Sequence, residues 1–518
     1  MIPSKYQQAL YDWIQKGSGS AIVQARAGSG KTTSIINALR YIPMNQRVVF
    51  LAFNKSIATE LQARVPKHVE ARTLNSLGHA AWMKYAGGKV NLDADKVKKI
   101  VKSLQDTLES QYRQTSAEDH YEAWTQSKDH YKSLMDLVRK AKVAGVTPAG
   151  VTGVMGLAPD TEETWLGLAD HYGIEMPANT KTLIGLARRV LRTGVLDKAC
   201  IDFDDQFYMS LLYGAPFPQF NWIFVDESQD VSDIQREILK RCLKTGGRLV
   251  AVGDSHQSVY GFRGSNPESM NLIQKAFKAI ELPLSICYRC STEVLKRAQE
   301  IVPDIEAAPG APEGFVTDLG EMDASFDMGV FNQQDMVICR YTAPLVTLAY
   351  RLITNKIACK VKGRDIAQGL IALIDKMKCK DVKRLKEKLG DWYRAEVSRL
   401  QERDADANLD SVDDKYKSLM AVIAGSGSLT VEGLKQELEV MFADTAAGVL
   451  TLSTVHRAKG LEADRVFILN PDSMPSRRAK KDWEISQEKN ILYVALTRAK
   501  IGLFFIAEVK KPTTKMGE

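Results

Sequence analysis

The chain has 518 residues, of which 45% are hydrophobic and 26% are charged. This composition is typical of a globular protein and excludes a disordered, collagen-like or coiled-coil chain. At roughly 100–200 residues per domain, the length predicts about three to five domains. The chain carries 70 Lys+Arg against 63 Asp+Glu, a net charge of +7, which permits a polyanionic partner without requiring one.

Neither a membrane segment nor a targeting segment is expected. No apolar run reaches the roughly 18 residues that a membrane-spanning helix needs. The N-terminus has Lys, Asp and Gln where a signal peptide needs an apolar core. We therefore expect a cytoplasmic protein without a membrane partner.

The cysteines do not predict a disulfide framework, because there are 7 of them and they are scattered along a long chain. Cys287 and Cys290 have CxxC spacing. A zinc site would need two more ligands at a similar spacing, and none follows, so we do not expect a metal there.

Short apolar runs alternate with helical stretches along the chain, which predicts parallel sheets covered by helices on both faces, an α/β fold. The first four predicted strands precede residue 280 and the others follow it, so two α/β cores are expected. The predicted strands are residues 21–25, 47–53, 222–227, 248–254, 335–341, 448–455, 465–469 and 503–509.

Two segments lack strand candidates and interrupt this alternation. Residues 85–195 and 366–446 have helical periodicity, and strand-rich sequence resumes after each, so we interpret them as helical insertions. Basic residues outnumber acidic ones in 361–400. That excess fits either a solvated surface helix or a contact with a phosphate backbone.

A glycine-rich turn follows the first predicted strand and opens a helix, which is the context of a phosphate-binding P-loop. Glycines let backbone N–H groups approach phosphates, and the helix N-terminus adds a favourable dipole. We expect Lys31 to contact the β- and γ-phosphates of ATP and Thr32 to bind Mg²⁺. The predicted nucleotide-binding residues are Ala25, Arg26, Ala27, Gly28, Ser29, Gly30, Lys31, Thr32 and Thr33.

Two acidic residues end the predicted strand at 222–227. An acid at the carboxyl end of a strand in a P-loop sheet faces the bound metal. We therefore predict Asp226 as a Mg²⁺ ligand and Glu227 as the group that orients and deprotonates the attacking water.

Seven further motifs follow one another in a recognisable order, and with the P-loop they resemble superfamily 1 DNA helicases of the UvrD/Rep/PcrA type. Three depart from the family pattern: the loop opens with Ala25 rather than Gly, Asn75 replaces His, and Cys287 stands where Asn is common. The motifs are SKYQ at 4–7, FNK at 53–55, TLNS at 73–76, GDSHQSVYGFRG at 253–264, LSICYRC at 284–290, THxxKGLE-like TVHRAKGLE at 454–462 and YVALTRA at 493–499.

The resemblance implies two RecA-like cores that clamp one ATP, each with a mainly helical insert. The first core, 1A, would be residues 1–84 and 196–280, with insert 1B at 85–195. The second core, 2A, would be residues 281–365 and 447–518. Its insert 2B, at 366–446, is short for the family.

The resemblance also implies roles around the nucleotide. Arg289 and Arg498 would act on the γ-phosphate, since a guanidinium pairs with phosphate oxygens bidentately. Gln257 would sense the γ-phosphate. The adenosine would contact Gln7, Tyr288 and Glu462. Arg26 has no clear role, and we expect it to be exposed to solvent.

The same resemblance implies a track for single-stranded DNA. Aromatic stacking suits a motor because it tolerates any base. The candidate DNA-binding residues are Phe53, Asn54, Thr73, Ser76, Tyr260, Phe262, Arg263, Arg340 and His456.

We therefore predict an ATP- and Mg²⁺-dependent DNA helicase or translocase. It would move 3′ to 5′ on single-stranded DNA and act at junctions with duplex, in a bacterial cell or a phage-infected host. A translocase that strips proteins without unwinding duplex, and a DNA-binding regulatory subunit, are alternatives. The sequence specifies neither the biological pathway nor accessory partners.

Overall fold

The computed structural model describes residues 2–151, 158–259, 268–401, 406–443 and 448–509. The chain divides into two compact units. Unit 1 comprises Met1–Ala25, Lys31–Ser255 and Tyr260–Leu284, and unit 2 comprises Arg26–Gly30, His256–Val259 and Ser285–Glu518. No helix in the described part of the chain is long and apolar enough to cross a membrane.

The helices are numbered in chain order over the described residues. They are α1 (Lys5–Lys16), α2 (Lys31–Leu39), α3 (Lys55–Arg64), α4 (Leu74–Ala86), α5 (Lys96–Thr115), α6 (Glu118–Asp129), α7 (Tyr131–Ala144), α8 (Glu162–Tyr172), α9 (Thr180–Leu196), α10 (Asp205–Leu212), α11 (Asp233–Cys242), α12 (Ser269–Phe277), α13 (Thr292–Gln299), α14 (Thr342–Thr354), α15 (Arg364–Met377), α16 (Val382–Gln401), α17 (Asp406–Gly425), α18 (Val431–Met441), α19 (Val455–Ala458) and α20 (Asp482–Leu496).

The strands are numbered in the same way. They are β1 (Ala21–Ala25), β2 (Val48–Ala52), β3 (Val69–Thr73), β4 (Asn91–Leu92), β5 (Val146–Thr147), β6 (Ala158–Pro159), β7 (Cys200–Ile201), β8 (Phe220–Val225), β9 (Leu243–Gly253), β10 (Ile280–Leu284), β11 (Ile286–Cys287), β12 (Glu306–Ala307), β13 (Phe315–Met322), β14 (Met336–Cys339), β15 (Cys359–Val361), β16 (Leu450–Thr454), β17 (Ala463–Leu469) and β18 (Ala499–Glu508).

Unit 1 is built on a six-stranded sheet with the order β10-β1-β9-β8-β2-β3. Every neighbouring pair is parallel, and Val23 of β1 lies opposite Val252 and Leu282. The carboxyl ends of all six strands therefore meet at one edge of the sheet. The predicted parallel α/β sheet is confirmed.

The central strands of this sheet are buried on both faces, as expected where helices cover a parallel sheet. Successive side chains point to opposite faces. Ile22 packs in one apolar cluster, which continues into the helical segment α5–α9 through Trp165. Val23 packs in another cluster with residues of α1 and α2.

Unit 2 has a second six-stranded parallel sheet, with the order β13-β18-β17-β14-β16-β15. Its central strands share an apolar cluster with α15–α18, which includes Val337, Leu452, Phe467 and Leu434. Both predicted helical insertions are thus helix-rich in the structure. The four sets of predicted domain boundaries stay a prediction.

A buried ionic cluster joins the helical segment of unit 1 to α10. Lys96 Nζ lies 2.8 Å from Asp205 Oδ2 and donates to the carbonyl oxygen of Cys200 at 2.6 Å. Lys142 Nζ lies 2.6 Å from Asp202 Oδ2 and 2.8 Å from Asp205 Oδ1. Each lysine compensates a carboxylate that is removed from water, so neither partner is replaceable alone.

We expect Lys96→Met to destabilise unit 1 by about 3–5 kcal/mol, because it leaves Asp205 buried with one fewer cation. The measurement is urea unfolding followed by tryptophan fluorescence. Lys98→Met is the matched control, since Lys98 lies on the same helix and is exposed. Equal unfolding midpoints for the two variants would contradict a structural role for the cluster.

Candidate nucleotide-binding site

The predicted P-loop connects the end of β1 to the start of α2. Gly28 and Gly30 have φ values of +67° and +72°, a region that residues with a Cβ rarely adopt. The Ser29 N–H donates to the Arg26 carbonyl oxygen at 3.1 Å, which closes the turn. The glycine spacing therefore fixes the path of the loop into the helix.

The loop has the character of an anion site. Its backbone leads to the N-terminus of α2, where N–H groups are free of helical partners and the dipole favours negative charge. Ser29 Oγ is buried and has no hydrogen-bond partner within the described residues. A buried hydroxyl without a partner is unfavourable. A phosphate oxygen would satisfy it, so the residues present fit a nucleotide.

Strand ends place the predicted catalytic groups of unit 1 together. Lys31, the first residue of α2, has Nζ 3.1 Å from Glu227 Oε1. Thr32 Oγ1 donates to Asp226 Oδ2 at 3.3 Å. The acids follow β8, and β9 separates β8 from β1 in the sheet. A cation, a hydroxyl and two carboxylates therefore meet at the carboxyl edge, which is where Mg²⁺ and phosphates bind in P-loop sheets.

The charges of this cluster shift one another's protonation. Burial alone would lower the pKa of Lys31, but the charges of Glu227, Asp226 and Asp254 outweigh it and raise that pKa. Burial, with repulsion from Glu227, raises the pKa of Asp226 to about 6, although Lys31 opposes this shift. The carboxylates are in excess over the lysine, so a divalent cation would relieve their repulsion.

Gln229 is a site residue that the sequence reasoning missed. Its side-chain oxygen accepts a hydrogen bond from the Asp254 N–H at 3.1 Å, and its amide nitrogen donates to Glu227 Oε2. It comes close to β9 because Gly253 has no side chain: a Cβ there would lie 2.4 Å from Gln229 Oε1. The sequence offered one signal for this role, namely that Gln229 lies two residues after the predicted catalytic residue Glu227. Glu227 itself has a left-handed backbone, φ 51°.

A cavity of about 150 Å³ adjoins these acids in unit 1. Its lining includes Asp226 and Glu227 and also Phe53 and Asn75. The predicted catalytic acids and two residues of the predicted DNA motifs thus border the same space.

In unit 2 the predicted cation Arg289 is held by neighbouring groups. Its Nε lies 2.6 Å from Glu462 Oε2, and its Nη1 donates to the Thr497 carbonyl oxygen at 3.2 Å. Burial would raise the pKa of Glu462, but Lys500 and Arg289 lower it, so the carboxylate stays charged. The neighbouring Tyr288 side chain is 48% exposed, as a ring that stacks on a base requires.

The other two predicted arginines of unit 2 are also engaged. Arg498 is buried, and its guanidinium donates to the carbonyl oxygens of Val494 at 3.0 Å and Leu461 at 3.2 Å. Arg340 forms a largely buried ion pair with Glu488, with a shortest distance of 2.6 Å. Their predicted roles on phosphate and on DNA stay predictions.

The segments 26–30 and 256–259 group with unit 2. The expectation that Arg26 is exposed was wrong: it is 9% exposed, and its Nε and Nη2 both donate to the Asp304 carboxylate. The Ala27 N–H donates to Tyr493 Oη at 3.0 Å. Gln257 is buried, and its carbonyl oxygen accepts from Lys459 Nζ at 3.0 Å.

Gln7 has partners in unit 1. It forms a capping box with Ser4 at the start of α1, and its Nε2 donates to Ser34 Oγ at 3.0 Å. Ser34 belongs to α2, the helix that the P-loop opens. The glutamine is therefore positioned beside the predicted nucleotide loop, while its contact with adenine stays a prediction.

Two polar DNA candidates of unit 1, Asn54 and Thr73, act as helix caps, and Ser76 lies in the first turn of α4. Asn54 Oδ1 accepts from the Ile57 N–H at 2.9 Å, and Thr73 Oγ1 accepts from the Ser76 N–H at 3.2 Å. Phe53 is 54% exposed. His456 lies in α19 and is partly buried. The predicted contacts Tyr260, Phe262 and Arg263 lie outside the described residues.

Phe203 is an exposed aromatic residue next to Asn75 that the sequence did not point to. It is 56% exposed, and its carbonyl oxygen accepts from Asn75 Nδ2 at 3.3 Å. Asn75 also donates to Gln206 Oε1 at 2.9 Å. The polar segment around Phe203 gave no strand or motif signal.

The P-loop, the acids after β8 and the two parallel sheets define a P-loop nucleotide-binding protein with two RecA-like sheets. The UvrD/REP helicase N-terminal domain model matches residues 7–278, and the UvrD-like helicase C-terminal domain model matches residues 450–506. The chain belongs to the UvrD/Rep helicase family.

Three relatives illustrate the extent of this similarity. F-box DNA helicase protein 1 of Schizosaccharomyces pombe is 24% identical over 92% of this chain and 54% of its own length. ATP-dependent DNA helicase UvrD2 of Mycobacterium tuberculosis is 24% identical over 55% of this chain and 47% of its own. ATP-dependent DNA helicase Rep of Buchnera aphidicola is 22% identical over 56% of this chain and 43% of its own length. The chain spans about half the length of these relatives.

We expect Glu227→Gln to lower the rate of ATP hydrolysis by roughly 10²–10⁴-fold, because an amide cannot take a proton from the attacking water. Nucleotide binding should be retained, since Lys31 and the loop are unchanged. Steady-state phosphate release and binding of a fluorescent ATP analogue measure the two effects. Glu60→Gln, which changes an exposed residue of α3, is the control. Hydrolysis at the wild-type rate in Glu227→Gln would contradict the assigned role.

Proposed function

We propose that the chain is an ATP-dependent DNA helicase that moves 3′ to 5′ along single-stranded DNA and separates duplex. The observation that carries the proposal is the cluster of Lys31, Thr32, Asp226 and Glu227 at the carboxyl edge of the unit 1 sheet. Family membership adds the expectation that a P-loop site of this kind serves DNA unwinding.

Lys31 and the P-loop N–H groups bind the phosphates, and Glu227 orients the water and accepts its proton. Gln229 holds the carboxylate of Glu227 toward the site. Thr32 and Asp226 would hold Mg²⁺, whose charge offsets the negative charge of the transferring phosphoryl group. Lys31 must leave Glu227 to contact phosphate. Nucleotide binding therefore breaks the Lys31–Glu227 ion pair, and the Glu227 carboxylate can then act as a base.

Arg289 and Arg498 add positive charge for the γ-phosphate, where the transition state spreads negative charge over three oxygens. Arg289 is 2.6 Å from Glu462 in the structure. A phosphate group has to compete with that carboxylate for the guanidinium. The exchange of one anionic partner for another is the switch by which ATP changes the state of unit 2.

Phe53 and Phe203 supply aromatic surface for bases in unit 1, and both are more than half exposed. Base–aromatic stacking contributes about 1–3 kcal/mol per base without sequence preference, as a motor requires. The cavity that Phe53 and Asn75 share with Asp226 and Glu227 gives a physical route for coupling. A base that moves Phe53 changes the packing beside the catalytic acids.

The 3′-to-5′ direction rests on the motif resemblance and needs a direct test. A duplex with a 3′ single-stranded tail should be displaced in the presence of ATP and Mg²⁺, and a duplex with a 5′ tail should not. The same pair of substrates made of RNA tests the choice of nucleic acid. Displacement from the 5′ tail alone would overturn the direction.

The same assay separates the two rival functions. ATP-dependent removal of streptavidin from a biotinylated 3′ end without duplex separation would identify a translocase that only strips proteins. DNA binding without ATP hydrolysis would identify a regulatory subunit. The intact Lys31–Glu227 pair argues against a dead nucleotide site.

We expect Phe53→Ala to weaken binding of single-stranded DNA by about 1–3 kcal/mol, roughly 5- to 150-fold, through loss of stacking. Fluorescence anisotropy with a labelled oligonucleotide measures the affinity. Tyr41→Ala is the control: Tyr41 is 45% exposed but follows the end of α2, away from the carboxyl edge. Equal affinity of the two variants for DNA would show that Phe53 does not contact DNA.

A further inference from the structure

The CxxC pair lies at the start of a helix in unit 2. Cys287 ends β11, and Cys290 precedes Ser291, the N-cap of α13. The Cys290 N–H donates to Cys287 Sγ at 3.4 Å, so the turn folds Cys290 back toward Cys287. The sulfurs are therefore close enough for chemistry between them without a large movement of the backbone.

The two sulfurs have opposite acidities. The hydrogen bond from Cys290 lowers the pKa of Cys287 to about 7, although burial opposes it, and the N–H groups of Cys290 and Arg289 and the Arg289 charge act in the same direction. Hydrogen bonding to Cys287 and burial raise the pKa of Cys290 well above the usual range. This asymmetry is typical of a dithiol with one nucleophilic sulfur.

Four other cysteines behave differently. Burial raises the pKa of Cys200 and Cys359, and it raises those of Cys242 and Cys339 to about 12. The described residues contain no group of three or more His, Cys, Asp or Glu that could hold a metal ion. The pair at 287 and 290 therefore differs from these four cysteines in having one thiol with a lowered pKa.

We propose that Cys287 and Cys290 form a reversible disulfide that switches off the ATPase by fixing the segment that carries Arg289. The switch rests on the proposed function, whereas formation of the disulfide does not. The oxidant is a low-molecular-weight disulfide of the glutathione class.

The thiolate of Cys287 attacks one sulfur of oxidised glutathione and forms a mixed disulfide, and one glutathione thiolate leaves. Cys290 then loses its proton and attacks Cys287 Sγ, and the second glutathione leaves. Two protein thiols are oxidised to one disulfide, and one oxidised glutathione is reduced to two thiols.

Both side chains are buried, so the oxidant reaches them when the segment opens locally. The strand that carries Cys287 has only two residues, and its partner strand β12 is equally short. Opening has to break the hydrogen bond from the Ala308 N–H to the Cys287 carbonyl oxygen and the one from the Tyr288 N–H to the Gly28 carbonyl oxygen. Local unfolding therefore limits the rate of oxidation without excluding it.

The position of Arg289 gives the disulfide its effect. Cys290 Sγ lies 3.7 Å from the Thr497 carbonyl oxygen, which also accepts a hydrogen bond from Arg289 Nη1 at 3.2 Å. Oxidation removes the thiol donor and ties Cys290 to Cys287. Arg289 is then confined within the closed ring and loses the freedom to exchange Glu462 for a phosphate group.

The test uses the full chain equilibrated with glutathione buffers of increasing oxidised fraction. Free thiols are alkylated, and peptides are mapped by mass spectrometry. The peptide with residues 287–290 should lose the mass of two hydrogen atoms and escape alkylation. DNA-stimulated ATPase should fall at least roughly tenfold in parallel, since an arginine that acts on a γ-phosphate contributes ~10³ or more. Dithiothreitol should restore both.

Two variants complete the test. Cys287→Ser lacks the attacking thiolate and should have the same ATPase rate in oxidising as in reducing buffer, and Cys379→Ser should lose and regain activity as the wild type does. Reduced thiols at 287 and 290 across the whole series would overturn the site. A mapped disulfide with unchanged ATPase would overturn the switch. If the wild-type protein has no ATPase activity even with its thiols reduced, the proposed function and the switch are both refuted. The mass of the peptide with residues 287–290 then still shows whether the disulfide forms.

Discussion

The arrangement of Lys31, Asp226 and Glu227 at the end of parallel strands is the constraint on which the rest of the structure depends. Charged groups removed from water are stable only when they are paired. Here one ammonium group faces two carboxylates, and burial together with repulsion from Glu227 raises the pKa of Asp226 to about 6. The cluster is therefore electrostatically incomplete. Phosphate groups can pair with the Lys31 ammonium group, and a divalent cation can balance the charge of the two carboxylates.

Three predicted functional arginines of unit 2 differ from the Lys31 cluster, because the charge of each is already matched by partners within the described residues. Arg289 pairs with Glu462, Arg340 pairs with Glu488, and Arg498 donates to backbone carbonyl oxygens. Such partners hold a guanidinium in one position before a ligand arrives. An arginine that acts on a ligand has to exchange partners, which links ligand binding to local rearrangement of unit 2.

Most of the fold was predictable because buried parallel strands are continuous apolar runs: all eight predicted strands are present. In the two six-stranded sheets, β3, β10, β13 and β15 were missed, since all four lie at sheet edges and their residues are largely half-buried or exposed. The P-loop was predictable because the backbone path of the loop is set by glycines that are close together in the sequence. The partner of Arg26 was not, because Asp304 is 278 positions away in the sequence.

The central claim is that the Lys31 cluster hydrolyses ATP in response to DNA. The most direct measurement is the ATPase rate of Lys31→Ala with saturating single-stranded DNA, beside Lys16→Ala, which changes an exposed lysine of α1. We expect a fall of at least roughly 100-fold for Lys31→Ala, through loss of charge stabilisation at the phosphates, and no change for Lys16→Ala. A rate in Lys31→Ala equal to that of the wild type, with the fold intact by circular dichroism, would contradict the account.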